Sequence, residues 1–272
     1  MLAFWIFPFL YSLVLSFERW DLASFDIKRK FIGFDNYIGV LRDPEFWNSI
    51  WRTLIYVFSV VGIEVLLGLV IALLLAYRES FLMRVFRRLI LLPFMVAPVV
   101  VGLMWLWIFN PELGILNHFV RVLGIDKVGF TWVGNVKTAM AAVIAVDVWQ
   151  WTPFVILLFM AGISSLPIEP YDAARVDGAT RWQIIRFITL PMLKHVTMLV
   201  LLIRTMTAFK FIDTIFVLTH GGPAGVTEIL GFHIYRVGLM HFRMGYASAL
   251  CYIMFIIVMV ICQLTIKYLK LK

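Results

Sequence analysis

Long apolar runs alternate along the chain with shorter segments that carry most of the charge. Six of these runs, at residues 2–17, 51–77, 89–109, 139–163, 196–219 and 244–266, are long enough or nearly so to be membrane spans. Crossing about 30 Å of hydrocarbon takes roughly twenty helical residues. The run at 2–17 is the shortest, and runs well beyond twenty imply tilt or interfacial overhang. The pattern predicts an all-α integral membrane protein with about six transmembrane helices, forming a single transmembrane domain over 1–272.

The spans differ in how they are built. The third contains Pro93, Pro98 and Gly102, and the fourth contains Pro153. A proline frees a backbone carbonyl, which lipid tolerates only where a neighbouring helix or a wet cavity satisfies it. Gly68 and Ala72 in the second span have the four-residue spacing of small side chains that lets helix backbones approach closely. The run at 2–17 lacks a basic leading region and an Ala-x-Ala cleavage site, so it reads as a first membrane helix rather than a signal peptide.

Composition agrees. The chain is 62% hydrophobic and 15% charged, against about 45–50% and 25% in soluble domains. A formal charge of +8 would in a soluble chain raise the question of nucleic acid. Here the basic residues fall between apolar runs, as at a lipid surface, with no interleaved basic and aromatic face, so nucleic acid is excluded as a partner. Cys251 and Cys262 are eleven residues apart in one run, about 16 Å along a helix, too far to pair with each other.

Basic residues also give an orientation. Arg78, Arg84, Arg87 and Arg88 precede the third span, Arg175, Arg181, Arg186 and Lys194 precede the fifth, and Lys267, Lys270 and Lys272 end the chain. With six spans all three groups share one side, which is expected to be cytoplasmic, as are both termini. Lys28-Arg29-Lys30 lies on the other side and runs against the rule.

The loop at 164–195 has its own chemistry. Pro170 suits a first helical turn, and Glu169 and Asp172 complement its positive end. Ala173 and Ala174 keep one face thin, and Gly178 suits a left-handed residue that ends the helix. Thr180 and Gln183 form a capping-box pattern that opens a second helix, broken at Pro191. The loop therefore predicts two short helices meeting at a sharp corner.

This segment resembles the EAA loop of binding-protein-dependent ATP-binding-cassette (ABC) importer permeases, E-A-A-x-x-D-G-A followed about eleven residues later by L-P. Asp172, Ala173, Ala174, Asp177, Gly178 and Ala179 match at the same spacing, followed by Leu190-Pro191, with aspartate for the leading glutamate. Thr219-His-Gly221-Gly222-Pro223, Thr227, Ile234-Tyr235 and Gly245-Tyr-Ala-Ser-Ala249 are similar to the last extracytoplasmic loop and final helix of the sugar-transporting, MalF-like branch. Tyr11 to Phe17 and Phe31 to Tyr37 look like its N-terminal region.

The resemblance implies a type I importer permease in a bacterial or archaeal plasma membrane, forming half of the pathway for a carbohydrate-like solute. It implies a second permease subunit, an ABC ATPase dimer that binds ATP and Mg, and an extracytoplasmic solute-binding protein near Gly221, Gly222 and Pro223. Asp172 to Ala179 would then be a coupling helix seated in the ATPase.

The chain has no G-x-x-x-x-G-K-[ST] loop and no zinc-ligand spacing, so ATP chemistry is expected on another subunit, with no cofactor or metal in this one. Charged residues within spans usually face a partner or a cavity. Glu64, Asp147, Arg204, Lys210 and Asp213 are such residues. Lys210 and Asp213, three apart, can pair on one helix face. Arg204 lies about half a turn from Asp213 and needs another partner or a wet path. Asp147, Trp149, Gln150, Trp151 and Arg204 are candidate pathway residues, aromatic faces and polar groups suiting a polyol or sugar; packing tryptophans are the plainer reading of Trp149 and Trp151. The competing functions are an ion-coupled carrier using Glu64 and Asp147, a permease for a non-sugar solute, and a membrane scaffold.

Overall fold

The computed structural model describes residues 2–22, 28–76, 81–124 and 130–270. Arg78 and Lys272, used above for orientation, lie outside the described residues.

The chain opens with α1 (Leu2–Ser16) and a small antiparallel pair, β1 (Glu18–Arg19) and β2 (Lys30–Phe31). Next come α2 (Asp35–Arg42) and the long α3 (Pro44–Ala76). Three short helices follow, α4 (Phe81–Leu89), α5 (Leu92–Met95) and α6 (Pro98–Ile108), and then α7 (Ile115–Val122) and the continuous α8 (Ala139–Ser164). The next segment holds α9 (Glu169–Val176), α10 (Arg181–Ile184), a π-helical turn at 185–189, α11 (Leu190–Met192) and α12 (Lys194–Ala208). The chain ends with α13 (Asp213–Leu218), α14 (Leu230–Tyr235), a second π-helical turn at 236–240, and α15 (Met244–Lys270).

Among the described residues three helices, α3, α8 and α15, are long and apolar enough to cross a membrane unbroken. Two further candidate spans are bent: Val85–Met95 with Pro98–Ile108 at 98°, and Arg181–Met192 with Lys194–Ala208 at 60°. The first bend follows from Pro98, which drives the preceding Ala97 to extended backbone, ψ 138°. The carbonyl of Val96 loses its helical partner there, and Gln150 on α8 donates its Nε2 to it at 3.1 Å.

The fifth apolar run, expected to be one helix over 196–219, is not one. α12 stops at Ala208 and α13 begins at Asp213. Phe209 and Phe211 are both buried, and Phe211 stacks on Tyr56 with ring centroids 5.5 Å apart. Two residues apart on a helix point about 200° from each other, and the break lets both aromatics turn into the same core. Lys210 and Asp213 consequently do not share a helix; both are exposed, and no ion pair joins them.

α3 lies along α8 at backbone contact. A Cβ on Gly68 would stand 2.5 Å from Val155 Cγ1, so only glycine permits the approach. One turn on, Ala72 is buried with Leu75, Ile156 and Phe159. α1, at 15 residues about 22 Å long, packs on α15: Phe9 meets Tyr252 edge-on with centroids 5.4 Å apart, and Tyr252 Oη donates to the Phe9 carbonyl. Asn36 donates to the carbonyls of Ser16 and Glu18 at 2.9 and 3.0 Å, and the Tyr37 and Ser16 hydroxyls are 2.7 Å apart. The paired N-terminal motifs thus dock α2 against the end of α1.

Candidate functional site

The corner predicted in the 164–195 loop is present. Pro170 lies in the first turn of α9, with Glu169 and Asp172 at its positive end. Gly178 has φ +76°, a left-handed conformation that ends α9 with little penalty only for glycine. The Thr180 Oγ1 accepts from the Gln183 amide at 3.4 Å, and Gln183 Oε1 accepts from the Thr180 amide at 2.7 Å, closing the capping box. Tyr171 Oη donates to Thr189 Oγ1 at 3.1 Å and ties α9 to the segment leading into α12.

No residue of α9 is buried. Asp172 and Arg175 form an exposed i,i+3 ion pair at 2.9 Å, of small energetic value at such a surface. Around the corner Ile168, Val176, Trp182 and Phe187 present large apolar side chains, Val176 at 87% exposure and Trp182 at 64%. A rigid elbow with an alanine-thin face and a rim of bare apolar side chains is built to be covered by something else.

The elbow hangs between α8 and α12, and those helices are joined by a buried ion cluster. Arg204 on α12 donates Nε to Glu64 Oε2 at 2.5 Å, Nη2 to Glu64 Oε1 at 2.8 Å and Nη2 to Asp147 Oδ2 at 3.2 Å. Nη1 donates to Thr207 Oγ1 at 2.8 Å, and the guanidinium carbon lies 4.5 Å from the Trp151 ring centre. Tyr56 donates to Asp147 Oδ2 at 2.7 Å. Exposure is 1% at Arg204 and 0% at Glu64 and Asp147. The bidentate Arg–Glu geometry fits what a guanidinium does best, and it joins α3, α8 and α12 at one point.

Arg204 therefore has the partner the sequence required, in Glu64 and Asp147 rather than Asp213. Asp147, Gln150 and Arg204 are enclosed by the chain's own helices, Trp151 is half-buried, and Trp149 is exposed and meets Trp105 edge-on at 5.6 Å between centroids. Tyr56 and Thr207 were not singled out from sequence. The signal for the cluster was there: Glu64, Asp147 and Arg204 are each isolated charges in apolar runs, and each needs a counterpart. Both carboxylates are bound to Arg204.

On the far side from the elbow, the Gly221-Gly222-Pro223 loop is fixed from within. Buried Thr227 donates to the Gly222 carbonyl at 2.7 Å, and its hydroxyl lies 2.7 Å from that of Thr219. Nearby, Glu45, Glu228 and His233 bring possible ligand atoms within 4.8 Å of one another. The cation there is a side chain: Arg236 Nη2 lies 2.8 Å from both Glu45 Oε2 and Glu228 Oε1.

The bent spans and the exposed elbow define the fold of a type I importer permease. The match to a solved structure of a bacterial ABC transporter that imports alginate has a TM-score of 0.82 at 22% identity, covering 98% of this chain and 90% of that one. Residues 64–269 match the family described as the binding-protein-dependent transport system inner membrane component. Relatives include a probable ABC transporter permease, y4oQ, of Sinorhizobium fredii, 38% identical over 93% of this chain and 81% of that protein. Another is the trehalose/maltose transport system permease MalF of Thermococcus litoralis, 36% identical over 99% of this chain and 88% of that one. The chain belongs to this family: it is a membrane-embedded ABC importer permease, a transport component rather than an enzyme.

Proposed function

We propose that this permease forms half of the pathway for a carbohydrate-like solute, working with a second permease, an ABC ATPase dimer that binds ATP and Mg, and an extracytoplasmic binding protein. The carbohydrate assignment is supported by the trehalose/maltose permease and by the fold shared with an alginate importer. The chain would sit in lipid as a multi-pass protein of the bacterial or archaeal plasma membrane, with elbow and both termini in the cytoplasm. Arg87, Arg88, Arg175, Arg181, Arg186 and Lys194 near that side favour this orientation.

The observation that carries the mechanism is the bare elbow bracketed by two helices that one ion cluster joins. In this reading Asp172, Ala173, Ala174, Asp177, Gly178 and Ala179 seat in the ATPase. When the ATPase dimer closes, the elbow moves as a rigid body. The stroke enters α8 and α12 together, because Asp147 and Arg204 bind them to each other and, through Glu64, to α3. In the same reading Trp149, partly exposed on α8 beside Trp105, would stack on a sugar face, with Trp151, Asp147, Gln150 and Arg204 behind it. The Gly221-Gly222-Pro223 loop faces the binding protein.

Reconstituted uptake tests this. Transport of a sugar panel should need the ATPase and ATP, and Gly178→Asp should abolish both ATPase co-purification and uptake. Uptake that continues without nucleotide would refute the coupling.

A further inference from the structure

On the side away from the elbow, a polar cavity of about 270 Å³ is lined by Glu45, Asn48, Arg52, Ala224, Gly225, Glu228 and Arg236. Arg52 sits about 36 Å along α3 from its far end at Ala76. Glu45, Asn48 and Arg52 recur at helical spacing on one face of α3, opposite the segment that follows Gly221-Gly222-Pro223. A Cβ on Gly225 would stand 3.6 Å from Arg52 Nη1 and 3.8 Å from Glu228 Oε2, at ordinary contact distance, so this turn forms one wall of the cavity.

The two arginines are in different states. Arg236 is held by both Glu45 and Glu228, and Glu228 also lies 2.8 Å from His233 Nδ1. Those carboxylates are thereby engaged. Arg52 is half-buried, yet among the described residues it has neither a carboxylate within 4.0 Å nor any hydrogen bond. A guanidinium presents five donors in a rigid fork that matches a carboxylate or a phosphate bidentately. A fixed cavity holding one unfilled fork, beside the loop assigned to the binding protein, is arranged to receive a single acidic side chain.

We infer that Arg52 is an anchor for an aspartate or glutamate of the extracytoplasmic binding protein, taken up in the cavity between α3 and residues 224–236. This rests on the importer reading above and adds the chemistry of the contact. The carboxylate would accept two N–H bonds from Arg52, while Arg236 offsets one of the two negative charges of Glu45 and Glu228.

The experiment uses the assembled transporter in nanodiscs and the purified binding protein of the same system, reading its Kd and its stimulation of ATP hydrolysis. Arg52→Glu should weaken binding by roughly ten- to a hundredfold, with assembly and unstimulated hydrolysis unchanged. Asn48→Asp, four residues from Arg52 on the same face, should fill the fork internally and weaken docking without altering Arg52. A charge-reversed carboxylate on the binding protein should restore affinity to Arg52→Glu. Unchanged Kd in both permease variants overturns the anchor while leaving the importer intact. A wild-type complex that no binding protein stimulates overturns the importer reading and the anchor with it.

Discussion

Replacing Arg204 with methionine removes the cation that binds two buried carboxylates. Glu64 loses bonds of 2.5 and 2.8 Å, and Asp147 loses one of 3.2 Å, with neither side chain reached by solvent. Breaking a buried pair by deleting one partner costs about 3–5 kcal/mol, because the remaining charge is left unpaired in a poor solvent. Both acids lose their counter-charge, and Asp147 keeps only the bond from Tyr56. At tenfold per 1.4 kcal/mol the folded-to-unfolded ratio should fall by about 10² to 10⁴. With about 2–4 °C per kcal/mol at this chain length, Tm should fall by roughly 6–20 °C. Thermal unfolding in nanodiscs, followed by tryptophan fluorescence, reads this directly, since Trp151 lies against the guanidinium.

The control is the neutral triple variant Glu64→Gln, Asp147→Asn, Arg204→Met. Removing all three charges leaves hydrogen-bonding groups but no unpaired ion, so it should recover most of the lost Tm. Arg204→Lys should fall between, because one ammonium cannot reproduce the bidentate bond. A single variant as stable as wild type, or a triple variant no better than the single, refutes the assignment of the cluster as the joint between α3, α8 and α12.

Three further predictions concern geometry. Gly178→Val should destabilise the elbow by about 1–2 kcal/mol through its left-handed backbone and lower ATP-driven uptake more than membrane insertion, measured by paired uptake and expression assays. Gly68→Val should cost about 1–3 kcal/mol in thermal stability by overpacking against Val155, and Val155→Ala should relieve it; no relief would count against close α3–α8 contact. Thr180→Ala, which removes one half of the capping box, should cost the local structure about 0.5–2 kcal/mol, seen as faster amide exchange over 181–184 with α8 unchanged.

The elbow was legible because its determinants are local. Pro170, Gly178 and the Thr180–Gln183 pair each act within a few residues, so sequence alone places a helix start, a corner and a second start. Pro98 likewise announced a freed carbonyl in the third span, though neither the 98° bend nor Gln150 as the donor that satisfies it. Long-range features were hidden. Glu64 and Arg204 are 140 residues apart, and a lone charge states that a partner is needed without saying which. The fifth run misled because hydropathy does not see direction: apart from Lys210, residues 209–212 are as apolar as the helices on either side, yet the chain turns there. The Arg52 cavity was invisible for the same reason as the cluster, since α3 and residues 224–236 meet only after folding.

The most direct test of the central claim is site-specific cross-linking at Ala174. In a background with Cys251 and Cys262 replaced by alanine, cysteine at position 174 should form a short-span adduct with the ATPase subunit, and its yield should change when ATP is bound. Labelling of that cysteine from the extracytoplasmic side, or an adduct with lipid and none with the ATPase, would contradict the account.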